Sequence, residues 1–497
     1  MPERDRGFNW STTRPCASGH RGVLAALVRA GFAIAVLAAA ATLRGPIATA
    51  QPLRSNQFAL DFHRGPVQGP GRAVGLGGAF TALAEGVDGV GFNPAAYGRR
   101  PDRELAWFAP AFVLGVSFPR NNWDNSGTGG RDFVDFAIVD FGVGFNFGPL
   151  GVGYLAQVQG YTVAPQDATE RTVSVNLAIH RVGVGYMIDG GALTLGAGVR
   201  IGAMGVGWDA PIFGTFVDNE VNYVGASPEI GLTWAPQGLD LRVGAAYRAE
   251  VVARTNAFDA GDGSVLRRPN GCVAQAPGCF VIPRSVNLPW EVDLGVAWRF
   301  SAAPFNAPWR DPRAARNALR DRIARDRVRR LRARGPDDGE GWDIAERARR
   351  QREDQELESF DWRYRAERLA ALRDRPHRYL LVSAGLSVFG PTPRGQGIEG
   401  FIDQVEQPSG RVPVVSPRVG LETEVIDNRL RLRVGSYLEP SRFEDIGARV
   451  HGTAGFDLRL FRWNAFKIVD PIDLKLSGTF DVSYNYVDWG FSVGIWQ

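Results

Sequence analysis

Long runs in which every second residue is apolar dominate this sequence. Leu193, Leu195, Ala197, Val199 and Ile201 alternate with Thr194, Gly196, Gly198, Arg200 and Gly202. The same period returns in Val224 to Trp234, in Leu241 to Val251, and in Val286 to Phe300. Successive side chains of a strand point to opposite faces, so each run is a strand with one apolar face and one small or charged face. Strands of soluble domains average about 5–6 residues. A tilted strand needs about 9–11 to cross a bilayer, and these runs are of that length or longer.

The connections sort by length. Short turns are expected at 148–151, 189–192, 236–240 and 427–429, and longer loops near 119–133, 207–220, 254–284 and 391–416. Short turns on one side and long loops on the other distinguish a bacterial outer-membrane barrel from a large soluble sandwich. Strand centres near 111, 140, 157, 180, 199, 229, 246, 292, 384, 421, 434, 455, 479 and 491 predict an all-β, about 14-stranded antiparallel transmembrane β-barrel. An even count puts both ends of the barrel chain on the periplasmic side. The closing strand would be the alternating run Trp489, Phe491, Val493, Ile495, with Trp496 penultimate.

Composition narrows the classes further. A mean hydropathy of −0.15 with 22% charged residues excludes a bundle of membrane helices. Glycine, at 61 of 497 residues, exceeds the usual share of about 7%, as in a glycine-rich all-β chain. Net charge is +4, but residues 310–375 carry 20 Arg against 15 acids, a local +5 that leaves the remainder slightly negative. No basic face spreads over the body of the chain, so nucleic acid is not an expected partner.

Residues 1–50 read as an export signal. An arginine-bearing start precedes the apolar stretch Val23 to Leu43, and Ala48-Thr49-Ala50 offers a cleavage site before Gln51. An uncleaved membrane anchor is the alternative. Cleavage would leave Cys272 and Cys279 as the only mature cysteines, and in an exported chain such a pair reads as a disulfide pinning a loop. No further Cys or His stands near them, so no metal site is expected, and no motif calls for a cofactor.

The alternation slips twice. The apolar set moves from Val134, Phe136, Ile138 to Phe141, Val143, Phe145, and again from Val173, Val175, Leu177, Ile179 to Val182, Val184, Tyr186. A slip without an extra residue would turn charge onto lipid, so β-bulges are expected near Val139/Asp140 and His180/Arg181. They would serve either barrel curvature or a lateral opening.

Residues 69–98, GPGRAVGLGGAFTALAEGVDGVGFNPAAYG, are too glycine-rich for a continuous helix and apolar enough to need burial. An N-terminal plug inside the barrel, over residues 51–103, is the expectation. A phosphate loop is excluded because no Lys-Ser/Thr follows the glycines and no strand precedes them. Asn93-Pro94 should form a corner, since Pro fixes its own φ and biases Asn93 toward extended backbone.

The run Gly71-Arg72-Ala73, then Gly75-Leu76-Gly77-Gly78-Ala79-Phe80-Thr81-Ala82-Leu83-Ala84, closed by Asn93-Pro94-Ala95, resembles the N-terminal region of the FadL-like outer-membrane proteins. These are long-chain fatty acid and aromatic hydrocarbon transporters, and the PorV family of secretion-associated barrels is among their relatives. The resemblance covers about 30 residues closely and the rest only as architecture. It implies a plugged barrel in the bacterial outer membrane, embedded in outer-membrane lipids, that passes a hydrophobic small molecule through its lumen. Gly75, Gly77, Gly78, Phe80, Asn93, Pro94 and Ala95 are then the plug or gating candidates. The glycine-rich form of the motif resembles the PorV branch equally well, where the role would be to bind a protein partner in secretion or surface attachment.

Eight charged positions on the non-apolar strand faces are candidate lumen residues: Arg200, Glu229, Arg242, Arg248, Glu250, Glu291, Asp293 and Arg299. They could orient a carboxylate headgroup or pair with one another to stiffen the wall. Residues 104–300 would form strands 1–8 and 378–497 strands 9–14. Between them, residues 301–377 form a charged helical insertion on the periplasmic side, with helical stretches near 313–334 and 342–373. Its narrow apolar stripe suits a helical hairpin, and residues 302–376 are a candidate arm for a periplasmic partner. The mature histidines, His63, His180, His377 and His451, lie in no recognisable Ser/His motif, so an enzyme is not expected.

Overall fold

A computed structural model describes residues 51–53, 55–99, 108–126, 136–163, 173–208, 221–255, 265–266, 280–306, 312–335, 339–373, 378–463 and 472–496. The expected export signal and the Cys272/Cys279 pair lie outside these residues.

Fourteen long strands form one closed antiparallel sheet. They are β1 Phe108–Ser117, β2 Phe136–Phe147, β3 Leu150–Val163, β4 Val173–Ile188, β5 Leu193–Trp208, β6 Val221–Trp234 and β7 Leu241–Arg248. The second half comprises β8 Glu291–Ser301, β9 Tyr379–Phe389, β10 Val414–Ile426, β11 Leu430–Glu439, β12 Arg449–Trp463, β13 Ile472–Ser483 and β14 Tyr486–Ile495. Each strand pairs with the next in sequence, and β14 pairs back onto β1 from Val113↔Gly494 to Ser117↔Gly490. Arg120–Asn121 continues this closing seam onto Tyr486 and Val487. Closure pairs the last strand with the first, so neither is left as a free edge in hydrocarbon.

The outer face carries the apolar residues. Leu114, Val184, Ile230, Leu294, Phe300 and Val419 are each well exposed on it. In a soluble protein a belt of this kind would be a liability, whereas around a closed barrel it is the lipid-facing band. Among the described residues no helix is long and apolar enough to cross a membrane.

The two expected bulges are absent. β2 keeps one register against β1 and β3, and β4 keeps one register against β3 and β5 throughout. The apolar set changes face because the lumen changes character along its length. Phe136, Ile138, Val175, Leu177 and Ile179 point inward at the extracellular end and are buried there with Phe58, Leu60 and Phe62 of the N-terminal segment. Further down, the same inward faces carry Asp140, Gly142, Arg181 and Gly183, and the apolar residues move outward.

The wall ladder is instead interrupted above β7 and β8. β6 and β7 share only Glu229↔Arg248 to Trp234↔Val243. Beyond them the β7–β8 hairpin leans over the lumen, where Val251–Ala253 pairs with Ser285–Leu288. Ser285–Leu288 then pairs in parallel with Ala59–Asp61, which pairs in parallel with Gly395–Gln396, itself joined to Pro408–Ser409. This small five-stranded sheet caps the extracellular mouth, with the chain's own N-terminal segment as its central strand. Arg442 fastens that strand with two bonds to the Asp61 carboxylate, at 2.9 and 3.0 Å.

Between β8 and β9 two helices, α1 Pro312–Arg332 and α2 Glu340–Arg373, pack on each other as a hairpin. Ion pairs hold it: Arg322 to Glu356 at 2.7 Å, Arg327 to Asp354 at 3.1 Å, and Arg330 to both Glu346 and Glu353 at 3.1 and 2.6 Å.

Candidate functional site: plug and lumen

From the cap the chain descends through the barrel as the plug, residues 62–99. Its backbone lies directly against inward glycines of the wall. A Cβ at Gly196 would fall 2.2 Å from the Pro94 carbonyl carbon, one at Gly420 2.6 Å from the Leu76 oxygen, and one at Gly435 2.4 Å from the Gly77 nitrogen. The unusual glycine content therefore serves plug–wall contact. Gly77 and Gly78 have φ of 59° and 72°, a turn that side-chain-bearing residues rarely adopt. Gly75 packs against Gly455, and Phe80 stacks edge-on to Phe92 with ring centroids 5.6 Å apart.

Asn93 is fully buried and caps the short helix Pro94–Tyr97 by accepting from the Ala95 N–H at 3.0 Å. Its amide donates to the Thr81 carbonyl of the plug at 3.0 Å and to the Leu232 carbonyl of β6 at 2.9 Å. Pro94 and Ala95 sit beside Gly196 and Gly231. The motif therefore locks the plug against β5 and β6.

The opposite side is held by charge. Arg72 makes a bidentate pair with Glu422 of β10 at 2.9 and 3.0 Å, and Arg433 of β11 joins Glu422 to Asp457 of β12. Lys475 of β13 reaches Asp88 at 2.6 Å. Near the periplasmic end Glu85 collects Arg242, Arg72 and Arg99.

The lumen-charge candidates divide among four places. Arg200, Glu229, Arg248, Glu291 and Asp293 form one network: Arg248 lies 3.7 Å from Glu229 and 3.1 Å from Glu291 and also bonds Asp293, while Arg200 lies 3.7 Å from Glu291. Arg242 belongs to the Glu85 cluster, and Arg299 stacks 4.4 Å over the Tyr379 ring. Glu250 is not in the lumen. It falls where the hairpin leaves the wall, its side chain is exposed, and it accepts from Asn287 at 3.3 Å.

Several residues of equal weight are missing from that set: Arg181, Arg418, Glu422, Arg433, Asp457, Lys475 and His451. Their signal was available, because all of them share the inward parity of their strands. Arg181 stands where the apolar face changes, which the sequence suggests as a bulge. His451 bridges Glu439 at 2.6 Å and Asp481 at 2.8 Å and is fully buried.

Above the plug lies a cavity of about 60 Å³, bordered by Arg64, Arg181, Arg200, Arg418 and Glu291 on its polar side. Phe62, Phe92, Ile179, Leu288 and Phe389 form its apolar side. Phe62, Ile179 and Leu288 also belong to the apolar cluster that rises to the cap. As it stands the cavity has room for a few water molecules.

These features define a class: a closed, plugged transmembrane β-barrel of the bacterial outer membrane. No family model matches the chain, and no curated protein is similar to it in sequence. Among solved structures it is similar to a Pseudomonas aeruginosa FadL homologue, at 9% identity and a TM-score of 0.46, covering 87% of this chain and 99% of that one. It is also similar to the toluene transporter TodX of P. putida, at 12% identity and a TM-score of 0.42, covering 87% and 99%.

Proposed function

We propose that this barrel takes up hydrophobic small molecules passively, and that long-chain fatty acids are among them. One observation carries this reading: the apolar cluster descending from the cap runs continuously into the arginine-bordered cavity above the plug. An acyl chain matches the cluster, and a carboxylate matches the guanidinium groups. Passage requires the plug to shift, since the cavity as it stands has room for only a few water molecules.

The test is uptake of radiolabelled oleate by cells that lack their own fatty acid transporter and express this protein. Heat-modifiable gel mobility verifies the folded barrel. Uptake above empty vector is expected. A folded barrel that takes up neither oleate nor an aromatic hydrocarbon would overturn the proposal.

The second reading is a barrel that binds a protein partner in secretion or surface attachment. The helical hairpin favours it. On α1 the side chains of Arg320, Arg325, Arg329 and Arg332 are exposed, and Trp362 of α2 is 73% exposed. If this reading holds, deleting residues 312–373 changes the surface proteome and leaves oleate uptake untouched.

A further inference from the structure

We propose that a second cavity, at the seam where the barrel closes, binds a small hard cation. It has a volume of about 10 Å³, enough for a single water-sized body, and lies between the plug and the inner faces of β14, β1 and β2. Asp488 of β14 and Asp140 of β2 border it, together with the hydroxyl-bearing Ser117, Thr479 and Ser492. No Lys or Arg borders it among the described residues.

The two carboxylates are not equivalent. Asp140 accepts from the Gln157 amide at 2.8 Å, and Gln157 in turn accepts from Arg64 and Arg181 at 2.8 and 2.9 Å. Asp488 is 5% exposed, and its Oδ1 has no hydrogen-bond partner. Its cross-strand neighbour is another acid, Asp481, whose carboxylate is already taken up by Tyr437 at 2.6 Å and His451 at 2.8 Å. The backbone N–H groups of Phe118 and Trp489 act on the Asp488 carboxylate, and a positive charge or a proton beside it would offset the second carboxylate it faces.

The space for that charge is built by glycine. A Cβ at Gly115 would lie 3.2 Å from the Ser492 Cβ and 3.7 Å from the Asp140 Cβ, and one at Gly490 would lie 3.0 Å from the Ser117 Cβ. Side chains at these positions would fill the cavity. Its borders offer carboxylate, hydroxyl and carbonyl oxygens without His, Cys or Met, a donor set for calcium or sodium and not for a soft metal. A cation there ties β14 to β2 across β1, beneath Gly69 and Gly71 of the plug. The seam it spans is short, with five rungs between β1 and β14.

The experiment uses the full-length barrel purified in detergent and stripped with EGTA. Thermal unfolding is followed by tryptophan fluorescence in three titrations: CaCl2, NaCl, and choline chloride at matched ionic strength. A saturable rise of a few degrees with CaCl2, or with NaCl but not choline chloride, is expected, and the salt that acts identifies the ion. The variant Asp488→Asn should unfold at higher temperature than the stripped wild type and lose the response. Gly115→Ala should lose the response while keeping both carboxylates. Two outcomes would overturn the proposal: no cation response in the wild type, or a response that survives Asp488→Asn. Neither bears on oleate uptake, so this proposal and the transport reading fail separately.

Discussion

The Asn93 side-chain amide donates to the Leu232 carbonyl of β6 across 2.9 Å, joining a plug residue to a wall strand 139 positions away. The same amide holds the Thr81 carbonyl, and its oxygen receives the Ala95 N–H. One side chain thus fixes two segments of plug and the wall.

Asn93→Ala removes these three bonds and a fourth, to the Thr233 hydroxyl at 3.3 Å, at a cost of about 1–3 kcal/mol for each buried group left unsatisfied. Amide exchange over residues 79–98 should quicken, while the heat-modifiable mobility of the barrel stays unchanged. If the plug gates transport, oleate flux rises as well.

Arg433 is buried between Glu422 and Asp457; removing it leaves Glu422 with Arg72 but takes from Asp457 its bidentate partner, with Lys475 3.9 Å away. Arg433→Ala should cost about 3–5 kcal/mol, read as a fall in unfolding temperature. Arg462, half exposed beside Asp473, is the control, and Arg462→Ala should cost at most about 1 kcal/mol.

Arg64 borders the upper cavity and donates to Gln157, so its loss strands no carboxylate partner. Arg64→Ala should lower uptake of oleate several-fold and leave uptake of an uncharged aromatic unchanged. Equal loss for both cargoes would assign Arg64 to the wall and not to a headgroup.

The helical hairpin should respond to acid. Bonds from Arg330 hold the Glu346 carboxyl below the usual range, and at Glu353 burial pushes upward but is outweighed by Arg327 and Arg330. A lowered folded pKa gives stability that is full above the ordinary Glu value of about 4.3 and is lost as pH falls through the lowered values. Circular dichroism at 222 nm should lose helical signal over that window in wild type. In the double variant Glu346→Gln, Glu353→Gln the transition should disappear.

Strand number, strand direction and the presence of a lumenal plug are legible in the sequence because each depends on a local pattern. Period-two alternation needs only neighbouring residues, and the run from Gly71 to Ala95 declares itself by being apolar yet too glycine-rich for a helix. The hairpin between β8 and β9 is equally local, since its narrow apolar stripe repeats at helical spacing. Partnership is different. That Arg72 meets Glu422, that Glu250 leaves the lumen while Arg181 stays, and that Asp488 faces Asp481 depend on registers set by the closing of the whole sheet. The cap sheet is assembled from segments of two to four residues drawn from four regions of the chain, too short for any pattern to mark. The change of apolar face in β2 and β4 reads locally as a bulge. Only with the N-terminal segment placed inside the barrel does it become a lumen that is apolar above and polar below, because a residue's inward face is defined by what the rest of the chain puts there.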